Sequence, residues 1–310
     1  MLSGTCRTVF LFRPFTNYGT KSEKDMMKLG VIGLGLIGGS MAIDLKRRGF
    51  AAEVLGVDAD PVNASAAEKM GLVDRVVSFD ECVDSSDLVI VAVPVGAALR
   101  LLPMVLDRFE RTGAADKIVI DVCSTKEQLA RQVKYHPLRS RYVASHPMSG
   151  TEYSGPWAAK SGLFDGRAGI ICDSQESDAK AVKIVESLYD TLNMRIIYMN
   201  SSSHDVHTAY VSHVSHVTSF ALALTVLEKE KDEKHIFDLA SGGFSSTVRL
   251  AKSGADMWTP IFMQNSDNVL RVMDTYIEKM NAFRKAIADG DEKTVHELIE
   301  EANKIRRIIR

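Results

Sequence analysis

A glycine turn set between an apolar run and an amphipathic one restricts the possible folds of this chain more than any other feature. Gly33-Leu34-Gly35-Leu36-Ile37-Gly38 follows the apolar residues 29–33 and opens an amphipathic stretch at 37–48. A buried strand that hands over to a helix through so tight a turn is one βα unit, and such units cover their apolar faces by joining a parallel sheet. The spacing also has a chemical meaning. Gly33 permits the turn, Gly35 lets the backbone approach a pyrophosphate, and Gly38 lets the helix lie close on its strand. The helix N-terminus, with Leu36 and Ile37 in its first turn, attracts the anion. Asp58 ends the next apolar run about 20 residues beyond Gly38, where a carboxylate can accept hydrogen bonds from both hydroxyls of an adenosine ribose. Neither Ala59 nor Asp60 could neutralise a 2′-phosphate, so the pattern favours NAD over NADP.

The alternation continues along the chain. Apolar runs at 29–33, 54–57, 88–93, 118–122 and 142–145 read as strands buried on both faces, and 37–48, 61–70, 96–110 and 126–135 read as the helices between them. Val93-Pro94 closes its run at the carboxyl edge of such a sheet, where it would shape the nicotinamide side of the crevice. Two more runs, 168–172 and 195–198, flank an amphipathic segment at 179–191 and extend the same sheet. The fold class expected is α/β, a Rossmann-type doubly wound parallel sheet. After Met199 the periodicity becomes helical, with Pro260 the one proline, so an all-α domain is expected to follow. The polar cluster 200–203 marks the boundary, a helix start with serine caps. These readings divide the chain into a nucleotide-binding domain at 26–199 and a helical domain at 200–310. Residues 1–25 carry Arg7, Arg13 and Lys21 with no acid before Glu23, and precede a second plausible start at Met26-Met27. That segment reads as a disordered extension; an organellar transit peptide is the alternative.

Composition excludes several function classes. A net charge of -2 provides no general field for nucleic acid or anionic lipid, so any anion must be held locally. The four cysteines contain no CxxC pair and fit reduced thiols in a cytoplasmic protein. No uninterrupted apolar run approaches the roughly 18–20 residues needed to cross a bilayer.

The residues that discriminate between reactions fall into three clusters. They are Asp121-Val122-Cys123-Ser124-Thr125-Lys126, then His146-Pro147-Met148-Ser149-Gly150-Thr151-Glu152, and the helical segment from His204-Asp205 through Ser212-His213-Val214-Ser215-His216. Ser212 and His216 are four apart and share a helix face, with His213 displaced by about 100°. Together with Gly242-Gly243-Phe244 through Arg249 and with Trp258, these clusters resemble the prephenate dehydrogenase family, including its arogenate-using relatives. The resemblance runs from about Lys28 to the C-terminal helices.

The resemblance implies that His146 takes the proton of the substrate's ring hydroxyl while hydride leaves the same carbon for NAD. An imidazole with a reference pKa of about 6.5 suits that task at neutral pH. Loss of the ring carboxylate as carbon dioxide then makes the ring aromatic. By the same resemblance Ser124 bonds that hydroxyl and orients His146, and Arg249 binds a substrate carboxylate through two parallel hydrogen bonds. Ser212 and His216 line the pocket, Glu152 helps close it and Trp258 stands at its edge. A serine in a strand-to-helix turn is also a common N-cap, and an arginine on a helix commonly faces solvent. Ser245-Ser246-Thr247 is small and polar, which puts in doubt any contact that larger residues make there in relatives. His204, His207 and His213 read as packing or surface histidines.

Other readings remain at this point. A 3-hydroxyacid dehydrogenase of the 6-phosphogluconate type would place a catalytic lysine on the first long helix after the sheet, and 205–227 has none. A non-catalytic NAD-sensing module would leave His146, Ser124 and Arg249 incidental. A metal held by His204, His207, His213 and His216 suffers from poor facial alignment. Relatives dimerise through the helical domain, and the apolar stretches 215–227 and 261–276 carry more hydrophobic surface than one small bundle buries, so a homodimer is expected.

Overall fold

The computed structural model describes residues 26–231 and 237–308; the expected extension at 1–25 lies outside them. The apolar runs form one eight-stranded sheet: β1 (Met27–Ile32), β2 (Ala51–Val57), β3 (Arg75–Val76), β4 (Leu88–Val91), β5 (Ile118–Asp121), β6 (Tyr142–Pro147), β7 (Ala168–Cys172) and β8 (Arg195–Met199), in the order β3-β2-β1-β4-β5-β6-β7-β8. β4 and β5 are buried throughout, as continuous apolar runs in a sheet covered on both faces must be.

Helices α1 (Leu36–Arg47), α2 (Pro61–Lys69), α3 (Phe79–Ser85), α4 (Val95–Thr112), α5 (Glu127–Gln132) and α6 (Ala179–Thr191) pack around it. Met41 and Leu45 of α1 share one apolar layer with Val185, Leu188 and Tyr189 of α6. Leu102, Val105, Leu106 and Phe109 of α4, spaced to form one stripe, join Val83 of α3 and Leu129 of α5 in the other. Truncating one of those leucines to alanine would cost about 2–5 kcal/mol.

The last two strands, β7 and β8, depart from the expected parallel sheet. β7 runs antiparallel to β6, although β8 is again parallel to β7. A parallel neighbour needs a crossover, usually a helix packed on the sheet. The connection 148–167 contains only a single short turn at Pro156–Ala158 and instead runs back over α1. There Lys160 N donates to Ser40 Oγ (2.9 Å) and Gly162 N to the buried Asp44 carboxylate (2.9 Å). That path ties the segment after His146 to the helix that follows the glycine turn.

Beyond β8 the described chain is helical: α7 (Ser201–Thr208), α8 (Val214–Glu230), α9 (Gly242–Val248), α10 (Ala255–Gln264), α11 (Ser266–Ala288) and α12 (Glu292–Asn303). The N-cap of α7 is Asn200, whose side chain accepts from Ser203 N at 2.7 Å, and not a serine as expected. The stretch expected to be helical at 205–227 starts earlier, at Ser201, and contains a π-turn at Ala209–His213. The apolar stretch 261–276 is broken at Asn265, between α10 and α11. The continuous helical run Ser201–Glu230 is, by length and composition, apolar enough to cross a bilayer, which corrects the expectation that no such stretch exists.

The helical part seals one edge of the sheet layers. Trp258 and Ile261 of α10 enter the same apolar layer as α4. Thr125 Oγ1 donates to Gln264 Oε1 and Gln128 Nε2 to the Gln264 carbonyl, both at 2.9 Å.

Candidate active site

Strand order reverses between β1 and β4, and the crevice outside the carboxyl ends of these strands is where open α/β sheets hold their ligands. Gly33 sits there with φ +98°, and a Cβ on it would lie 2.3 Å from the Ala92 carbonyl oxygen. A Cβ on Gly38 would fall 2.0 Å from the Gly33 carbonyl oxygen, so helix and strand pack at a distance only glycine allows. A Cβ on Gly35 would meet only Gly155 N, at 4.0 Å, and as N-cap of α1 Gly35 leaves the first-turn N–H groups around Leu36 and Ile37 without a side-chain cap.

Asp58 accepts from Leu34 N and from Asp60 N, at 2.9 Å each, one on each carboxylate oxygen. The acid is thereby fixed against the glycine turn, with a lone pair on each oxygen still available. Val93 and the exposed Pro94 form the opposite lip, Pro94 as N-cap of α4. An uncapped helix start, an unobstructed backbone and an oriented acid fit a dinucleotide.

His146 lies on β6, opposite Ile170 of β7. Its Nδ1 is 2.8 Å from His204 Nε2, and His204 Nδ1 is 2.7 Å from Asp205 Oδ1. The Asp205 carboxylate also accepts from Lys126 N (2.8 Å) and Glu127 N (2.9 Å), the first donors of α5. Asp205 therefore caps that helix from across the molecule, and Ser124 is not the N-cap that its position in a strand-to-helix turn allowed. Ser124 stays partly accessible just beyond β5, the strand beside β6.

Beneath this turn Lys126 and Asp121 form a fully buried ion pair. Tyr142 Oη donates to Asp121 Oδ1 (2.6 Å) and Cys123 N to Asp121 Oδ2 (3.0 Å). Burial works against the Lys126 charge, but Asp121 beside it holds its pKa above the ordinary value. Desolvation drives His146 well below an ordinary imidazole, reinforced by the neighbouring His204, Lys126 and His213. Burial likewise lowers His204, against the pull of Asp205, and lowers His213 to about 4. His146 is thus an uncharged acceptor at neutral pH.

A second cluster is built by α8 to α10 against the loop after β6. Arg249 Nη1 donates to Glu152 Oε2 at 3.2 Å, with the guanidinium half exposed and the carboxylate mostly covered. Ser219 Oγ of α8 donates to the Thr247 carbonyl (3.0 Å) and accepts from Ala251 N (3.1 Å), which fixes the turn carrying Arg249. Trp258 stacks on His216, ring centroids 3.5 Å apart, and meets His213 edge-on. Trp258 is 6% exposed, and its indole Nε1 has no hydrogen-bond partner among the described residues. His216 Nδ1 donates to the Ser212 carbonyl at 3.0 Å, and the Arg249 charge helps lower its pKa after burial.

Comparison with known proteins agrees with this geometry. The nucleotide-binding domain model of prephenate dehydrogenase matches residues 41–198, and its dimerization domain model matches 200–301. The chain belongs to the prephenate dehydrogenase family. It is 32% identical to a prephenate dehydrogenase of Bacillus subtilis over 88% of this chain and 74% of that one. It is 28% identical to a cyclohexadienyl dehydrogenase of Zymomonas mobilis over 90% and 94% of the two chains. The crystal structure of prephenate dehydrogenase from A. aeolicus, in complex with hydroxyphenyl propionate and NAD+, superposes with a TM-score of 0.82 at 28% identity, covering 92% of this chain and 99% of that one.

The sequence-derived residues lie at the carboxyl ends of β1, β2, β4, β5 and β6, in the loop after β6 and on the helices beyond β8. His204 and His213 were read as packing or surface histidines, and Asp205, in the same cluster, was given no role. A helix read as beginning at 205 left His204 outside it, and the π-turn at Ala209–His213 turns His213 inward, where Asn265 Nδ2 meets its Nδ1 at 3.2 Å. The usable signal was the His204-Asp205 pair directly after an Asn200 cap. Such an acid can cap another element as readily as face solvent.

Proposed function

We propose that this chain is an NAD-dependent prephenate dehydrogenase that converts prephenate to 4-hydroxyphenylpyruvate on the route to tyrosine. Family membership supports the enzyme class, and the A. aeolicus structure, solved with NAD+ bound, supports the cofactor. The observation that carries the reading is the buried, neutral His146 near the carboxyl end of β6, hydrogen-bonded to His204 of α7.

Gly33, Gly35, Gly38 and the start of α1 would hold the pyrophosphate, and Asp58 the ribose, while a bound nicotinamide supplies the hydride acceptor. His146 takes the proton of the ring hydroxyl as hydride departs from the same carbon. Ser124 bonds that hydroxyl and aids its orientation. Arg249 anchors a substrate carboxylate and exchanges its bond to Glu152 for that contact, so Glu152 is the residue the substrate displaces as the pocket closes. His216, held by the Ser212 carbonyl and the Trp258 face, presents its other ring nitrogen to the substrate. Loss of carbon dioxide leaves an aromatic ring and makes the step irreversible.

The experiment is an initial-rate assay of reduced nicotinamide with prephenate and with arogenate. Efficient turnover of prephenate supports the reading, preference for arogenate transfers the assignment to that substrate, and no turnover of either refutes it. We further read the protein as cytoplasmic and as a homodimer without nucleic-acid or membrane partners. Leu224, Leu227, Leu270, Ile277, Met280 and Ile287 are at least half exposed, and the family model for this region is a dimerization domain. Light scattering after size exclusion should give twice the chain mass, and a stable monomer would contradict the dimer.

A further inference from the structure

We propose that His204 and Asp205 are positioning residues that hold His146 in the tautomer with hydrogen on Nδ1, leaving Nε2 free to take the substrate proton. The inference rests on reading His146 as the base. Its structural half, the tautomer, stands or falls on its own.

The assignment follows from donors and acceptors counted along the chain of contacts. Two of the three groups on the Asp205 carboxylate are the backbone N–H groups of Lys126 and Glu127, which can only donate. The carboxylate accepts, so His204 Nδ1, 2.7 Å from Oδ1, carries a hydrogen. In a neutral imidazole the other nitrogen is then bare. His204 Nε2 is 2.8 Å from His146 Nδ1, and the hydrogen between them must come from His146. A neutral His146 with Nδ1–H has its lone pair on Nε2. Burial keeps both rings uncharged before reaction, which supports the count.

When Nε2 takes the proton, the new imidazolium still points Nδ1–H at His204, and the buried Asp205 carboxylate at the far end compensates the charge. His204 is 0% exposed and Asp205 1%, so the chain opens to no solvent. It orients and stabilises, and offers no proton exit. Asp205 also fixes the start of α5, and thereby the turn that holds Ser124. One carboxylate on the first helix after the sheet sets both groups that meet the hydroxyl.

Asp205 substitutions would uncap α5 and risk misfolding, so His204 is the variant of choice. His204→Leu should lower kcat roughly 100-fold while the KM for prephenate and the Kd for NAD change by less than about threefold, in line with lost outer-shell support of a catalytic imidazole. His204→Gln, whose amide oxygen can accept from His146 Nδ1–H, should recover roughly tenfold of that loss. A merely structural role would move thermal stability equally in both variants and give no such rescue. Histidine-labelled wild-type enzyme without substrate, observed by two-dimensional nitrogen NMR at neutral pH, should show a protonated Nδ1 and a bare Nε2 for His146. Wild-type kcat in His204→Leu, no recovery in His204→Gln, or hydrogen on His146 Nε2 would each overturn the proposal. Because the NMR measurement needs no turnover, failure of the tautomer and failure of the prephenate assignment are told apart.

Discussion

Arg249 enters the site as half of an ion pair, and its contribution depends on what replaces Glu152. The Arg249–Glu152 pair is too exposed to stabilise the fold appreciably. A substrate carboxylate in a drier pocket would gain more from the same guanidinium, about 1.5–3 kcal/mol for a charge-assisted hydrogen bond. Arg249→Ala should therefore raise the KM for prephenate roughly 10–100-fold with a smaller change in kcat. An unchanged KM would move the carboxylate site elsewhere. Asp58 makes a different kind of contact. Its two oxygens are oriented by Leu34 N and Asp60 N, and its charge opposes a 2′-phosphate. Asp58→Ala should weaken NAD binding and narrow the margin over NADP, measured by titration calorimetry with each nucleotide; equal weakening of both would refute the ribose contact. Gly33, Gly38 and Asp58 could be read from sequence because the turn restricts residue type directly. Asp205 could not, since the groups it caps lie 79 and 78 residues away.

At the level of elements, the strands buried on both faces were legible because burial leaves no polar alternation to confuse the pattern. The run 168–172 is β7 to the residue. Its antiparallel direction was not legible, because an apolar run looks the same either way. Direction is set by the connection 148–167, which lacks a crossover helix. β3 has only Arg75 and Val76, too few residues to carry a period, and was missed with α3. The long helix after β8 was recognised, but its face was read on a regular α-helical wheel. The π-turn at Ala209–His213 breaks that wheel and sends His213 to the interior beside Trp258 and Asn265. This element carries a pH consequence. His213 is pushed down to about 4 by burial, and His146 and His204 are lowered as well, so each is neutral in the fold but takes a proton near its ordinary value once unfolded. The unfolded chain then binds more protons than the folded one between the folded pKa values and 6.5. The stabilisation is complete above that window and is lost as pH falls through it, by up to about 1.4 kcal/mol per pH unit for each group. Urea midpoints should hold steady from about pH 8 to 7 and decline below about 6.5. A midpoint that rises on acidification would contradict the buried neutral histidines.

For the molecule as a whole, neither part suffices alone. In the proposed reaction the sheet would supply the dinucleotide crevice, His146 and Ser124, and the helices beyond β8 would supply Arg249, His216 and the carboxylate that positions the base. Trp258 and Ile261, buried in the layer that α4 lays against the sheet, hold the two parts in register. The proposed reaction turns on one proton transfer to His146, tested most directly by turnover of His146→Asn with prephenate and NAD. In that variant kcat should fall by roughly two to four powers of ten while NAD affinity stays near that of the unaltered enzyme. Turnover within about threefold of wild type would contradict it, because general-base catalysis by His146 would then contribute almost nothing.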